Sequence, residues 1–196
     1  MKRRSFLQAG IASSFLPLLT NSSVANALGF KSSTVIQAVV SDSRFADSRS
    51  FGAQAAALGM AHYTSQGDIT ALWFKELDPL WRKHQAAVTG LTTREHLFCL
   101  ERLAWDRGLR VLARTEHHDN GSGVLTHQIE APDLLSAQTA KAIATDGQWS
   151  AALASLLANC SPPELNGKCT PREFRSRGQL DESLVTWVIA PATARA

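Results

Sequence analysis

Three short apolar runs, each followed by a segment with helical spacing, constrain this chain more than any other feature. Val35-Ile-Gln-Ala-Val-Val40 is β-branched and apolar enough for a buried strand, and Ser41-Asp42-Ser43-Arg44 ends it with loop chemistry. Phe45 to Leu58 is Ala-rich and stops at Gly59, the usual residue just past a helix end. Met60 to Thr64 reads as a second strand, closed by Gly67-Asp68. Asp68 can then cap a helix from Ile69 to Lys83, in which Leu72, Trp73, Leu77, Leu80 and Trp81 recur at helical spacing. Pro79 should break or kink it. Ala87-Val88-Thr89-Gly90 is the third strand. Thr92-Thr93-Arg94-Glu95 is a capping box, with the Thr92 hydroxyl and Glu95 carboxylate opening a helix that runs to about Arg107.

Leu109 to Thr115 is a fourth strand, and the turn Asp119-Asn120-Gly121-Ser122-Gly123 returns Val124 to Ile129 as its antiparallel partner. Two helical pieces follow, Asp133 to Ala144 and Trp149 to Ala158, and then a cysteine-flanked loop. Thr170 to Leu180 is charged and unpatterned, and Ser183 to Ile189 is a last strand. This order predicts an α/β fold: a three-layer, mostly parallel sheet with helices on both faces and an antiparallel hairpin at the edge. A smaller sheet in an α+β arrangement is the alternative. A length of 196 residues, 44% of them apolar, suits a single domain, placed at 28–190 with a flexible tail at 191–196.

The first 27 residues carry an address. Lys2-Arg3-Arg4 is a charged start, Ala9 to Leu19 a short apolar run, and Ala25-Asn26-Ala27 the small–x–small pattern a signal peptidase accepts. The run is too short for a hydrocarbon core of about 30 Å, so no stable membrane anchor is expected after cleavage. Arg3-Arg4-Ser5-Phe6-Leu7-Gln8 resembles the twin-arginine (Tat) export motif of bacteria, with Gln8 where that family usually has Lys. The resemblance covers this segment alone. It implies the Tat translocon as a partner, a periplasmic destination, and passage across the membrane in the folded state. Such cargo is folded early because a cofactor is inserted, because a partner carries it, or because it folds too fast to be threaded.

Of the 20 Lys and Arg, three are Lys2, Arg3 and Arg4, leaving 17 to face 17 Asp and Glu. A neutral body has no field to hold a phosphate backbone, which argues against nucleic acid. In an oxidising compartment, Cys160 and Cys169, bracketing a Pro/Gly-rich loop, are candidates for a disulfide, while Cys99 sits among apolar neighbours as a buried small hydrophobe. No second CxxC or nearby histidine completes a zinc site around the pair, and no metal site is assigned.

In an open α/β sheet, ligands gather at the carboxyl ends of the parallel strands. That rule selects Asp42, Asp68, Glu116 and His117 as catalytic candidates, with Arg44, Gly90, Thr92 and Thr93 as candidate ligand contacts. Each also has a plainer role: Asp68 and Thr92 as caps, Arg44 as a surface partner of Asp42 or Asp47, Gly90 as the end of a strand. His117 and His118 point to opposite sides of a strand, so only one can enter a shared site, with His127 across the hairpin. Ser41 or Ser43 with His117 and Asp68 can be drawn as a triad, yet there is no GxSxG elbow. Neither GxGxxG nor CxxCH occurs, and the cofactor stays open. The expected function is an exported accessory or small-ligand-binding protein, a partner of an exported redox enzyme. The alternatives are a periplasmic hydrolase and an envelope-interaction protein docking through the Trp73–Trp81 helix.

Overall fold

The computed structural model describes residues 36–191 except Gln85 and Asp146, together with all side chains in that span but those of Pro162 and Pro163. The expected signal segment, 1–27, lies outside the described residues, as do residues 192–196. The chain divides into two units, Met1–Ser32 and Ser33–Ala196, and all that follows concerns the second.

Seven strands form one mixed sheet in the order β2-β1-β3-β7-β4-β5-β6. They are β1 (Ile36–Asp42), β2 (Ala61–Ser65), β3 (Ala87–Thr92), β4 (Leu109–Asp119), β5 (Val124–Glu130), β6 (Arg172–Arg177) and β7 (Leu184–Pro191). The helices are α1 (Ala46–Ala57), α2 (Ile69–Leu72), α3 (Asp78–Lys83), α4 (Arg94–Trp105), α5 (Asp133–Ile143) and α6 (Trp149–Ala158). A π-helical turn, Trp73–Leu77, joins α2 to α3 and delivers Pro79 to the start of α3, where its missing N–H is harmless. The expected kink at Pro79 is therefore taken up one turn earlier. Among the described residues, no helix is long and apolar enough to cross a membrane.

The sheet is α/β in class but not mostly parallel. Only β1–β2 and β1–β3 pair in parallel; β3–β7, β7–β4, β4–β5 and β5–β6 are antiparallel. The last strand causes the difference. β7 inserts between β3 and β4, so these two strands run the same way without touching. The β4–β5 hairpin is not the edge either, because β6 lies outside it. That strand comes from the charged, unpatterned segment Thr170 to Leu180, and its exposed Arg172, Glu173, Arg175 and Arg177 give the edge its charge.

Two cores flank the sheet. Phe51 of α1, Leu135 and Ile143 of α5, and Trp149, Leu153 and Leu157 of α6 cover one face. Leu72, Trp73, Leu77, Trp81, Leu97 and Leu100 cover the other, together with Trp187 and Leu109. This second core takes in no residue of β5 or β6, so Arg114, Gln128, Glu130, Glu173 and Arg175 face solvent there. The uncovered half-face is why the three-layer expectation fails. An irregularity in β4 between Val111 and Ala113 exchanges its faces: Leu109 belongs to the α4 core, Ala113 to the α6 core.

Candidate functional site

β1 sends its connection to β2 on one side of itself, and β2 returns past it to β3 on the other. The carboxyl ends of β1 and β3 thus flank a topological switch point, the standard ligand position in such sheets. There Asp42, the last residue of β1, is wholly buried. Its Oδ1 accepts from the Arg44 amide at 3.1 Å and from Arg44 Nε at 3.0 Å, and its Oδ2 from Nη2 at 2.7 Å. His96, in the first turn of α4, places Nδ1 3.3 Å from the same Oδ2 and donates from Nε2 to the Gly67 carbonyl at 2.9 Å. Gly67 has φ +94°, a conformation that calls for glycine, and a Cβ there would stand 3.1 Å from Arg44 Nη1, so the guanidinium would have to give by a few tenths of an ångström. Ser48 closes the other side: its Oγ accepts the Asp42 amide at 2.7 Å and donates to the Leu91 carbonyl, stitching β1 to β3.

Burial alone would push the Asp42 carboxyl up, but the hydrogen bonds and charge of Arg44, with His96 behind them, hold it below the usual range. Arg44 is raised in turn, chiefly by its hydrogen bond to Asp42, with Glu95 and Glu182 adding negative potential. The Arg44 side chain is 45% exposed, which makes it the accessible member of the group. Thr93, not Thr92, is the residue that precedes α4, and it makes no side-chain capping hydrogen bond, so the expected capping box does not form; the Glu95 amide and then the Thr93 hydroxyl hold the Glu95 carboxyl low. Among the described residues, Ser65 Oγ at the end of β2 finds no hydrogen-bond partner, and neither does His96 Nδ1 beyond its ion-pair contact with Asp42.

The remaining candidates disperse. Asp68 is exposed and caps α2, accepting the Thr70 amide at 2.7 Å, a bond that lowers its carboxyl. Gly90 is a packing glycine: a Cβ would fall 2.4 Å from Trp187 Cζ2 and 2.9 Å from the Val40 carbonyl. Thr92 is buried and accepts from Trp187 Nε1 at 3.0 Å. Glu116 lies on the uncovered face beside His118 (3.3 Å) and Arg94 (3.7 Å). His117 points the opposite way, into the α6 core, against His127. The drawn triad does not form either. Ser41 bonds instead to His62 Nε2 at 2.7 Å, a contact that Gly52 leaves room for.

No disulfide joins Cys160 to Cys169, which corrects the expected bond. Cys160 is buried in the α6 core, where burial and Glu164 push its thiol up to about 12, whereas Cys169 is exposed opposite Pro132. Cys99 is exposed, not buried: α4 turns it outward beside Phe98. Trp73 and Trp81 pack on each other in the core at 5.7 Å, so they offer no outer patch; among the described residues Phe74, Phe98 and Trp105 are exposed aromatics. Among the described residues, no three His, Cys, Asp or Glu side chains converge as metal ligands. An open groove of about 420 Å³ runs along the uncovered face past Arg114, Glu116, Gln128, Glu130 and Glu173, away from Asp42.

Sequence reasoning missed His96, Ser48 and Ser65. The first had a signal: a histidine in the first turn of a helix that follows a buried strand. No known protein family, curated protein or solved structure matches this chain.

Proposed function

We propose that this is a Tat-exported periplasmic protein that binds a small polar ligand at the lip between β1 and β3, and serves there as an accessory to an exported redox enzyme. One observation carries the ligand reading. A fully buried carboxylate, Asp42, holds a half-exposed guanidinium in a fixed two-point grip. Such a grip is costly to bury and gives the core nothing an apolar pair would not. What it does provide is a pre-oriented arginine whose side chain stays 45% exposed. With Glu95 and Glu182 close enough to act on Arg44, the lip suits a molecule that presents acceptor oxygens to Arg44 and a donor group to a carboxylate.

The hydrolase reading has less support. Asp42 is engaged by Arg44, and His117 occupies the opposite face. A native mass spectrum of protein exported through its own signal tests the proposal. We expect a chain beginning at Leu28 that carries a small-molecule adduct, and we expect Arg44→Lys to lose that adduct because lysine cannot make the two-point contact. Retention of the uncleaved chain inside the cell, or an adduct unaffected by Arg44→Lys, would refute it.

A further inference from the structure

Two histidines meet in the α6 core with no carboxylate between them. His117 of β4 and His127 of β5 are direct cross-strand partners, both fully buried, with their Nδ1 atoms 2.7 Å apart. Imidazole nitrogens approach this closely only as donor and acceptor, so the two Nδ1 atoms share one proton. The outer nitrogens are engaged too. His117 Nε2 lies 2.8 Å from Thr186 Oγ1 on β7, and His127 Nε2 lies 2.8 Å from Ser176 Oγ on β6. A single hydrogen-bonded chain thus crosses β7, β4, β5 and β6, and the hydroxyl at each end can donate or accept. Trp149, which begins α6, lies over both rings at centroid distances of 4.4 and 5.6 Å.

We propose that this pair is an acid-operated latch: uncharged, it ties β6 and α6 to the sheet, and charging the rings releases them. The first extra proton, taken on the outer nitrogen that carries none, keeps the Nδ1–Nδ1 bond but seals an imidazolium under Trp149; one more makes both Nδ1 atoms donors and breaks that bond. Apart from the two hydroxyls and the ring face of Trp149, the described residues bring no carboxylate to balance that charge. From β4, His118 lies on the far face with Glu116, and Asp119 is occupied by the amides of Gly121 and Leu180. From β6, Arg175 and Arg177 lie on the exposed face. β7 presents Thr186, α5 presents Leu135 and Thr139, and beside Trp149 the Ser150 hydroxyl binds Asp47 of α1. Burial pushes His127 down to about 4 and His117 well below the ordinary 6.5. A released state, with both rings near 6.5, therefore binds more protons between about pH 4 and 6.5. The closed state is favoured above that window and loses ground as pH falls through it. This inference is independent of the ligand reading.

Amide hydrogen exchange of the full chain at pH 7 and pH 5, corrected for intrinsic chemistry, tests the latch. For each proton taken up, opening of the β5 and β6 amides should rise roughly twenty-fold between those values, with β1 and β3 changing less. His127→Gln should flatten the response. Because that variant also loses core hydrogen bonds, ring-nitrogen spectra of the unaltered protein provide a second readout. The closed form should keep both rings uncharged at pH 5. Equal β5–β6 protection at both pH values, an undiminished acid response in folded His127→Gln, or charged rings in a chain that stays closed would each overturn it.

Discussion

Asp42 and Arg44 form an unequal pair. The carboxylate is sealed from water while the guanidinium is half in it, so the two halves should respond differently to removal. Arg44→Leu strands a buried charge and should cost about 3–5 kcal/mol. Asp42→Asn frees an arginine that can turn to solvent and should cost less, about 1–2 kcal/mol. Urea unfolding of both single variants and the double variant measures the difference, and the double should be milder than Arg44→Leu alone. The sign of the pH dependence follows from the lowered Asp42 carboxyl. Its contribution is complete above about 3.8 and fades as pH falls toward its lower folded value. That window lies below the one in which His127 acts, so Asp42→Asn should lower the stability–pH curve evenly above it and change the slope only in the most acidic part.

Gly90 shows how far an element depends on its neighbour. Glycine weakens an ordinary strand, yet here the ring of Trp187 lies across the place a side chain would take. Gly90→Ala should therefore destabilise by about 3 kcal/mol, and Trp187→Phe in the same chain should recover part of it because the clashing Cζ2 is gone. Thermal unfolding of the two variants checks both values. The same position explains what could be read in advance. Strand character at Ala87–Gly90 and helix character around Leu97 and Leu100 are local patterns, and both were legible. That Gly90 faces a tryptophan about a hundred residues away is not local, so its role was read as ligand contact. β6 was illegible for another reason: an edge strand carrying charges on its open face has no apolar alternation to find. In β4 a single irregularity sends His117 and Glu116 to faces the sequence alone could not assign. Asp42 and Arg44 were found because strand ends are marked by polar residues; their partner His96 lay beyond that rule.

At the scale of the molecule, β7 alone among the described strands touches both halves of the sheet. It pairs with β3 on one side and β4 on the other, and nothing else joins β2-β1-β3 to β4-β5-β6 within the sheet. A chain cut after Glu182 should fail to form either core and lack dispersed amide resonances, even though six of the seven strands remain. A folded, cooperative truncated chain would show that the halves stand alone.

The central place of β7 also orders events during synthesis. Every other strand is made before the one that joins them, so a growing chain must hold β3 and β4 with raw, unpaired borders until Leu184–Pro191 appears. Those borders invite pairing with other nascent chains. A holding chaperone is the natural guard for that interval, and its removal should send newly made protein into aggregates while leaving protein already completed untouched.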